Sequence, residues 1–290
     1  LVGRNREGAW AFFRLETRGS GATLAQALAA SLDRNDAILA ADRARLAAVR
    51  AARTKSAEEY FSRHAIEWDR IRSLHVAETD VEQAILAAAG DKPIRALLDL
   101  GAGTGRMLQL FAGRAQRLVG VDASPAMLQV ARANLAKAGL RGVELRQGDI
   151  YALPIERNAF DLVIIHQVLH FLDDPARAIR EAAAALSPGG RIVIVDFAPH
   201  AIEELREKQS HRRLGFAADE IAGLLRDAAA DVDAPAFEAL QPDGHVDGRI
   251  ERDGDDARVA HAAISLPGTR IVKVASRSRT SWAHAQANAR

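Results

Sequence analysis

Three glycines at alternate positions, Gly101, Gly103 and Gly105, break the apolar run that begins at Leu97, with Ala102 and Thr104 between them and Asp99 just ahead. Glycine at such places removes a Cβ where the backbone must take positive φ or approach a ligand closely. Downstream, one apolar run after another ends in polar residues: Asp122, then Asp149 beside Ile150, then His166 and Gln167, with His170 four residues beyond His166. A carboxylate at Asp122 can accept two hydrogen bonds from ribose hydroxyls. One at Asp149 can accept from an adenine amino group while the Ile150 amide meets a ring nitrogen. His170 is the candidate general base. Each also has a structural reading: a tight turn for the glycines, a helix cap for Asp122, an Asx-turn for Asp149, a hydrogen-bonded structural histidine for His170. The nine histidines show no ligand spacing such as H-E-x-x-H, and cysteine is absent, so no metal site is expected.

A parallel sheet is needed to bring these residues together. Ile94 to Leu100 reads as a strand, and Arg106 to Phe111 resumes at helical spacing, so the glycine loop opens a helix whose N-terminus faces a ligand. A dinucleotide fingerprint would require glycine at 106, where this chain has Arg106, and that removes the nicotinamide oxidoreductase reading. Arg117 to Asp122 is the second strand; Ser124 caps the next helix, with Pro125 in its first turn and Met127, Leu128 and Val130 on its inner face. Val143 to Leu145 and Phe160 to Ile165 are the third and fourth strands. A helix near Pro175 to Leu186 ends in the turn signal Ser187-Pro-Gly-Gly190, Arg191 to Phe197 is the fifth strand, and 201–210 and 217–229 read as helices. Alternation of this kind predicts an α/β, doubly wound parallel sheet with its ligand at the carboxyl ends of the strands.

Outside that region the wording changes. Leu1 to Leu15 has two short apolar stretches around Gly8, as a β-hairpin would. From Ala22 to Ala89 there is no glycine and no proline, so helices are nearly forced. Leu32, Ile38, Leu39, Leu46 and Val49 give an incomplete apolar stripe, suited either to a dimer-forming connector or to an arm folded back on its own domain. Tyr60, Phe61, Ile66, Trp68 and Ile71 continue it, and their aromatics read as core or as a lid over a ligand. After Asp231 only Ala236 to Leu240 and Arg270 to Ala275 are strand candidates, with a polar, glycine-rich stretch between them.

With 290 residues, 48% of them apolar and 27% charged, the chain has an ordinary globular composition, and no apolar run reaches a membrane span of about 20 residues. The formal net charge of +1 argues neither for nor against nucleic acid. No signal-peptide pattern opens the chain, so a cytoplasmic location without membrane contact is expected. The chain begins at Leu1 rather than methionine, and the expectation is a fragment or processed form of a longer protein.

The D-x-G-x-G-x-G spacing from Asp99 to Gly105 resembles the first motif of class I S-adenosylmethionine (SAM)-dependent methyltransferases. Together with Asp122, Asp149, Asp161, His166-Gln-Val-Leu-His-Phe171, Pro175 and Leu186 to Gly190, the stretch from about Asp80 to Asp231 resembles the small-molecule methyltransferases of ubiquinone and menaquinone biosynthesis. The resemblance implies a Rossmann-like, doubly wound, seven-stranded sheet with an N-terminal helical arm, and SAM as cofactor. It places Asp99 and the loop of Gly101, Ala102, Gly103, Thr104 and Gly105 at the methionine end, and Asp122 at the ribose. Ala123 and Met127 would meet the adenine face, Asp149 and Ile150 its edge, and His166 with Gln167 would close the pocket. It also implies a helix over the pocket, to which Tyr60 or Phe61 would belong. Separately, Leu1 to Leu15 resembles the wing of an arsenic-repressor-type winged-helix domain, whose DNA contact would require a domain upstream.

The organisation expected from these readings is a remnant hairpin over 1–20, a helical connector or lid over 21–78, a SAM-binding domain over 79–243 and an irregular segment over 244–290. The expected function is methyl transfer from SAM to a small-molecule acceptor. The alternative is the SAM- or S-adenosylhomocysteine-sensing effector half of a winged-helix transcriptional regulator, with weak or no catalysis.

Overall fold

The computed structural model describes residues 2–7, 10–15, 21–33, 36–68, 78–230, 260–266 and 269–276. Strands β1 (Val2–Glu7) and β2 (Trp10–Leu15) pair antiparallel in a two-stranded sheet of their own. Helices α1 (Ala22–Ala30) and α2 (Ala37–His64) follow, the second capped by Asp36, whose carboxylate accepts from the Ile38 and Leu39 amides at 2.8 and 3.0 Å. A 3₁₀ turn, Ala65–Glu67, leads to Trp68, and α3 (Glu78–Ala89) precedes the sheet.

The centre is five parallel strands in the order β5-β4-β3-β6-β7: Glu144–Gln147, Ala115–Asp122, Ile94–Leu100, Phe160–His166 and Leu186–Phe197. Chain order reverses direction between β3 and β6, which is the switch point where open α/β sheets bind ligands. Strand residues alternate between two cores. Leu98, Leu100, Val163, Ile165, Ile192 and Ile194 meet α6 (Pro175–Ala185) and α8 (Ala218–Ala230) on one face. Leu97, Leu162, Ile164, Val193 and Val195 meet α3, α4 (Arg106–Leu110) and α5 (Pro125–Lys137) on the other. Runs that are apolar on both faces are what a covered parallel sheet demands.

Two details differ from the sequence reading. Ser187 to Gly190 is not a turn but part of β7, with the register shifted opposite Phe160 and Leu162 and Gly189 at φ +80°. A bulge accommodates proline and glycine there without ending the strand. The helix after β7 shortens to α7 (Glu204–Gln209). Beyond α8, the backbone of β8 (Ala260–Leu266) and β9 (Thr269–Ser276) pairs antiparallel, with β9 parallel to β7. Arg270 to Ala275 falls in β9, whereas Ala236 to Leu240 lies outside the described residues.

Candidate functional site

The loop after β3 is held by backbone bonds: the Gly101 and Ala102 amides both donate to the Val121 carbonyl, at 2.8 and 3.1 Å, and the Gly105 amide donates to the Ala102 carbonyl at 2.8 Å. Its glycines stand at φ +72°, +51° and +83°, the left-handed region that costs other residues most. Their surroundings differ. A Cβ on Gly101 would collide with the Val168 side chain, and one on Gly105 would lie 3.3 Å from Ala131 Cβ on α5. One on Gly103 would have Trp68 Nε1 as its nearest neighbour, at 3.8 Å, so that glycine faces open space. Gly120, within β4, permits the close approach, since a Cβ there would sit 2.9 Å from Ala102 Cβ. A glycine inside a strand was the available signal for it.

The open space is a cavity of about 650 Å³ at the carboxyl ends of β3, β4, β5 and β6. Asp122 closes β4 with its two oxygens divided: Oδ2 accepts from the Gly103 amide and Oδ1 from the Ser124 amide, each at 2.8 Å. Burial pushes its carboxyl pKa up, and the two amides pull it back. A carboxylate has about four lone-pair sites, so acceptor capacity remains towards the cavity. Ser124 then caps α5, its hydroxyl accepting from the Met127 amide at 3.3 Å. Asp149 forms the Asx-turn of its structural reading, accepting from the Tyr151 amide at 2.9 Å, and it still lines the cavity.

The structure brings most sequence-selected residues to this lining: Asp99, Gly101, Ala102, Gly103, Asp122 and Ala123, then Met127, Asp149, Ile150, His166 and Gln167. Thr104 and Gly105 are buried beneath it and join the loop to α5, the Thr104 carbonyl accepting from Asn134 Nδ2 at 3.2 Å. His170 is not brought to the lining. His170 is 1% exposed, with Nδ1 2.8 Å from Asp196 Oδ1, and its ring meets those of Phe171 and His211 at tilts of 48° and 35°, with centroid distances of 4.0 and 4.2 Å. The 3₁₀ turn Leu169–Phe171 decides this, pointing His170 inward and placing Phe171 on the cavity. Its geometry follows Gln167, a non-glycine residue at φ +55° whose amide donates to the Val195 carbonyl at 2.7 Å.

Of the two lid candidates, Phe61 lines the cavity and Tyr60 does not, and the structure adds Trp68, Phe171 and Arg212 to the lining. Trp68 reaches the glycine loop from the helical arm and meets Phe61 edge to face at 5.3 Å; Phe61 in turn meets Phe171 at 4.9 Å. Tyr60 lies behind them, 6% exposed, its hydroxyl pKa pushed up to about 12 by burial. Arg212 lines the cavity from the stretch after α7, with Nε 3.8 Å from Asp173 Oδ1. Arg106 also reaches the lining, yet Glu82 on α3 holds its guanidinium in a two-pronged pair at 2.5 and 2.7 Å. The aromatic stripe was visible as a helix face, but nothing local announced Arg212.

The site can therefore hold a nucleoside whose hydroxyls meet a carboxylate, with a compact group over a bare backbone loop. The cation nearest that loop, Arg106, is engaged by Glu82, so the cradle is poorly furnished for a pyrophosphate. Among the described residues, no cluster of three or more histidine, aspartate or glutamate side chains could hold a metal ion, and no helix is long and apolar enough to cross a membrane.

Residues 98–194 match the family described as "Methyltransferase domain". The uncharacterised methyltransferase YcgJ of Bacillus subtilis is 35% identical over 104 residues, covering 36% of this chain and 41% of that protein. The demethylmenaquinone methyltransferase of Lactococcus lactis is 30% identical over 144 residues, covering 48% of this chain and 57% of that protein. The chain thus spans about half the length of these relatives. The crystal structure of B. subtilis YcgJ superposes with a TM-score of 0.47 at 26% identity, over 55% of this chain and 70% of the other.

Proposed function

We propose that this chain is a SAM-dependent methyltransferase that transfers a methyl group to a small-molecule acceptor. The observation that carries the reading is the joint between Asp122 and the glycine loop: a carboxylate at the end of β4 braces Gly103 while facing the same cavity. The match of residues 98–194 to methyltransferase domains supports it. Asp99 and the loop of Gly101 to Gly105 would hold the methionine end, Thr104 and Gly105 acting from below. Asp122 would take the ribose, Ala123 and Met127 the adenine face, and Asp149 with Ile150 its edge, with His166 and Gln167 closing the pocket. Bound there, SAM supplies a methyl group activated on a sulfonium. What remains for the protein is to orient an acceptor in line and exclude water. Calorimetry with SAM and S-adenosylhomocysteine tests the cofactor, and transfer of labelled methyl groups from SAM into metabolite extracts tests the reaction. Absence of both would overturn the reading.

His170, off the lining and bonded to Asp196, acts by holding the turn that carries Phe171 and not as a base. The five parallel strands extend to the seven-stranded pattern through β8 and β9. Leu24, Leu28 and Leu32 on and after α1, with Ile38, Leu46 and Val49 on α2, are exposed, which supports a homodimer built on the helical arm; sedentation by analytical ultracentrifugation checks it, and a monomer at micromolar concentration rejects it. The β1–β2 hairpin supports a winged-helix regulator upstream, with cytoplasmic location and DNA binding following from it. Sequencing upstream of the Leu1 codon decides that point.

A further inference from the structure

Among the described residues, three that are not glycine take positive φ: Asn158, Gln167 and Ser210, at 55°, 55° and 57°. Asparagine and serine are short, and asparagine in particular enters the left-handed region at little cost. Gln167 carries a longer side chain, and it lines the cavity where the other two do not. Its backbone is fixed from two sides. The Gln167 amide donates to the Val195 carbonyl on β7 at 2.7 Å, and the next residue, Val168, packs so closely on the glycine loop that a Cβ on Gly101 would collide with it. A glycine at 167 would meet both demands without strain. What glutamine adds is a carboxamide, and that group has no hydrogen-bond partner among the described residues. Strain kept at a cavity wall, on a side chain whose donor and acceptor are both unspent, marks a group held for a ligand.

The sheet order indicates which part of a ligand it would meet. Along β5-β4-β3-β6 the strand ends carry Asp149, Asp122, the Gly101 to Gly105 loop and then Gln167. On the methyltransferase reading the first three meet adenine, ribose and methionine in turn. Gln167 therefore stands one strand beyond the methionine end, on the side from which an acceptor reaches the methyl group. In the transfer, a lone pair on the acceptor's nitrogen or oxygen forms the bond to the methyl carbon. The C–S pair stays on sulfur as a neutral thioether, and the acceptor's proton passes to solvent. A carboxamide oxygen that accepts from the reacting N–H or O–H turns the lone pair towards the methyl carbon.

We propose that Gln167 is an acceptor-binding residue, its carboxamide oxygen accepting a hydrogen bond from the nucleophilic N–H or O–H of the acceptor at the point of transfer. This rests on the methyltransferase reading and adds a residue to it. The probe is sinefungin, an analogue with an amine where SAM carries its methyl group, titrated by calorimetry beside S-adenosylhomocysteine into the parent chain, Gln167→Gly and Gln167→Glu. Contributions common to the two ligands cancel in the ratio of their affinities, which leaves the contact to the amine. In Gln167→Gly the preference for sinefungin should fall about tenfold, the worth of one hydrogen bond to a charged group. S-adenosylhomocysteine affinity should stay within about threefold of the parent, and the variant should unfold near the parent's temperature, because glycine takes positive φ without strain. In Gln167→Glu the preference should rise, since a carboxylate pairs with the ammonium group. A ratio within about twofold of the parent in Gln167→Gly, an equal loss of both ligands there, marked destabilisation of that variant, or a ratio that falls in Gln167→Glu would each overturn the proposal. Failure of the parent to bind S-adenosylhomocysteine would bring down the cofactor reading itself, whereas binding of it with an unmoved ratio removes only the role of Gln167.

Discussion

The two parts of the cavity are built by different means. The part we propose for the cofactor is backbone: a loop fixed by three positive-φ glycines and by amides donating to Val121, with Asp122 bonded to Gly103 and Ser124 amides. The aromatic part is side chains delivered by distant segments, Phe61 and Trp68 from the arm, Phe171 from the turn after β6, Arg212 from the stretch after α7. A Cβ collides at Gly101 and is strained by positive φ at all three loop glycines, whereas side-chain sites tolerate exchange. Substitutions should therefore act steeply in the first part and by degrees in the second.

The largest effect expected is at Gly103. A valine there must hold φ +51°, an outlier for a β-branched residue, and would project its methyls into the space between the loop and Trp68. We expect S-adenosylhomocysteine affinity to fall more than about 100-fold, near 2.7 kcal/mol, with cooperative thermal unfolding retained. Normal binding by Gly103→Val would reduce the loop to a turn and abolish the contrast. Asp122→Asn comes next. An amide can accept from only one of the Gly103 and Ser124 amides with its oxygen, and its NH₂ opposes the other. A loss of about 1–3 kcal/mol in cofactor affinity, measured by the same titration, is expected.

The same division explains what could be read from the chain. Gly101 to Gly105, Asp122 and Asp149 lie at the ends of strands, so their meeting follows from the parallel sheet alone, and the alternation of apolar runs announces that sheet. His170 and Phe171 show the limit. Which of the two faces the cavity depends on the positive φ of Gln167 and on a carboxylate at Asp196, 26 residues away in the chain, and neither leaves a periodic signal. Arg212 reaches the lining through its amide bond to the His170 carbonyl, a tertiary contact without local precedent. The Ser187 to Gly190 stretch failed differently: residues that favour turns also favour bulges, and pairing with β6 chose the bulge.

Trp68→Ala sharpens the contrast in the aromatic part. It removes edge-to-face contact with Phe61 and one wall beside Gly103, yet no backbone bond of the loop. Cofactor affinity should change by less than about threefold, measured by the same titration. A loss of cofactor affinity equal to that of Asp122→Asn would show that Trp68 belongs to the first part and not the second.

The smallest effect belongs to a residue that should touch neither part. Glu144 on β5 is held well below the ordinary carboxylate range, at about 2, by hydrogen bonds from Arg117 and Arg146 at 2.8 and 2.6 Å. A depressed folded-state pKa means that Glu144 contributes stability that is fully present above its unfolded value of about 4.3 and lost as pH falls towards about 2. The side chain is 38% exposed, so solvent screens the pair and the contribution at neutral pH is at most about 1 kcal/mol. Glu144→Gln should therefore lower thermal stability slightly at pH 7 and flatten the decline between about pH 4.5 and pH 2.5, because the variant no longer has a proton to take up there. Added salt should shrink the difference between the two proteins. Cofactor affinity at pH 7 should match that of the parent. If it did not, the edge strand would be coupled to the cavity through Gln147 and Gly148, and the cofactor part could no longer be treated as a loop fixed locally by its own backbone.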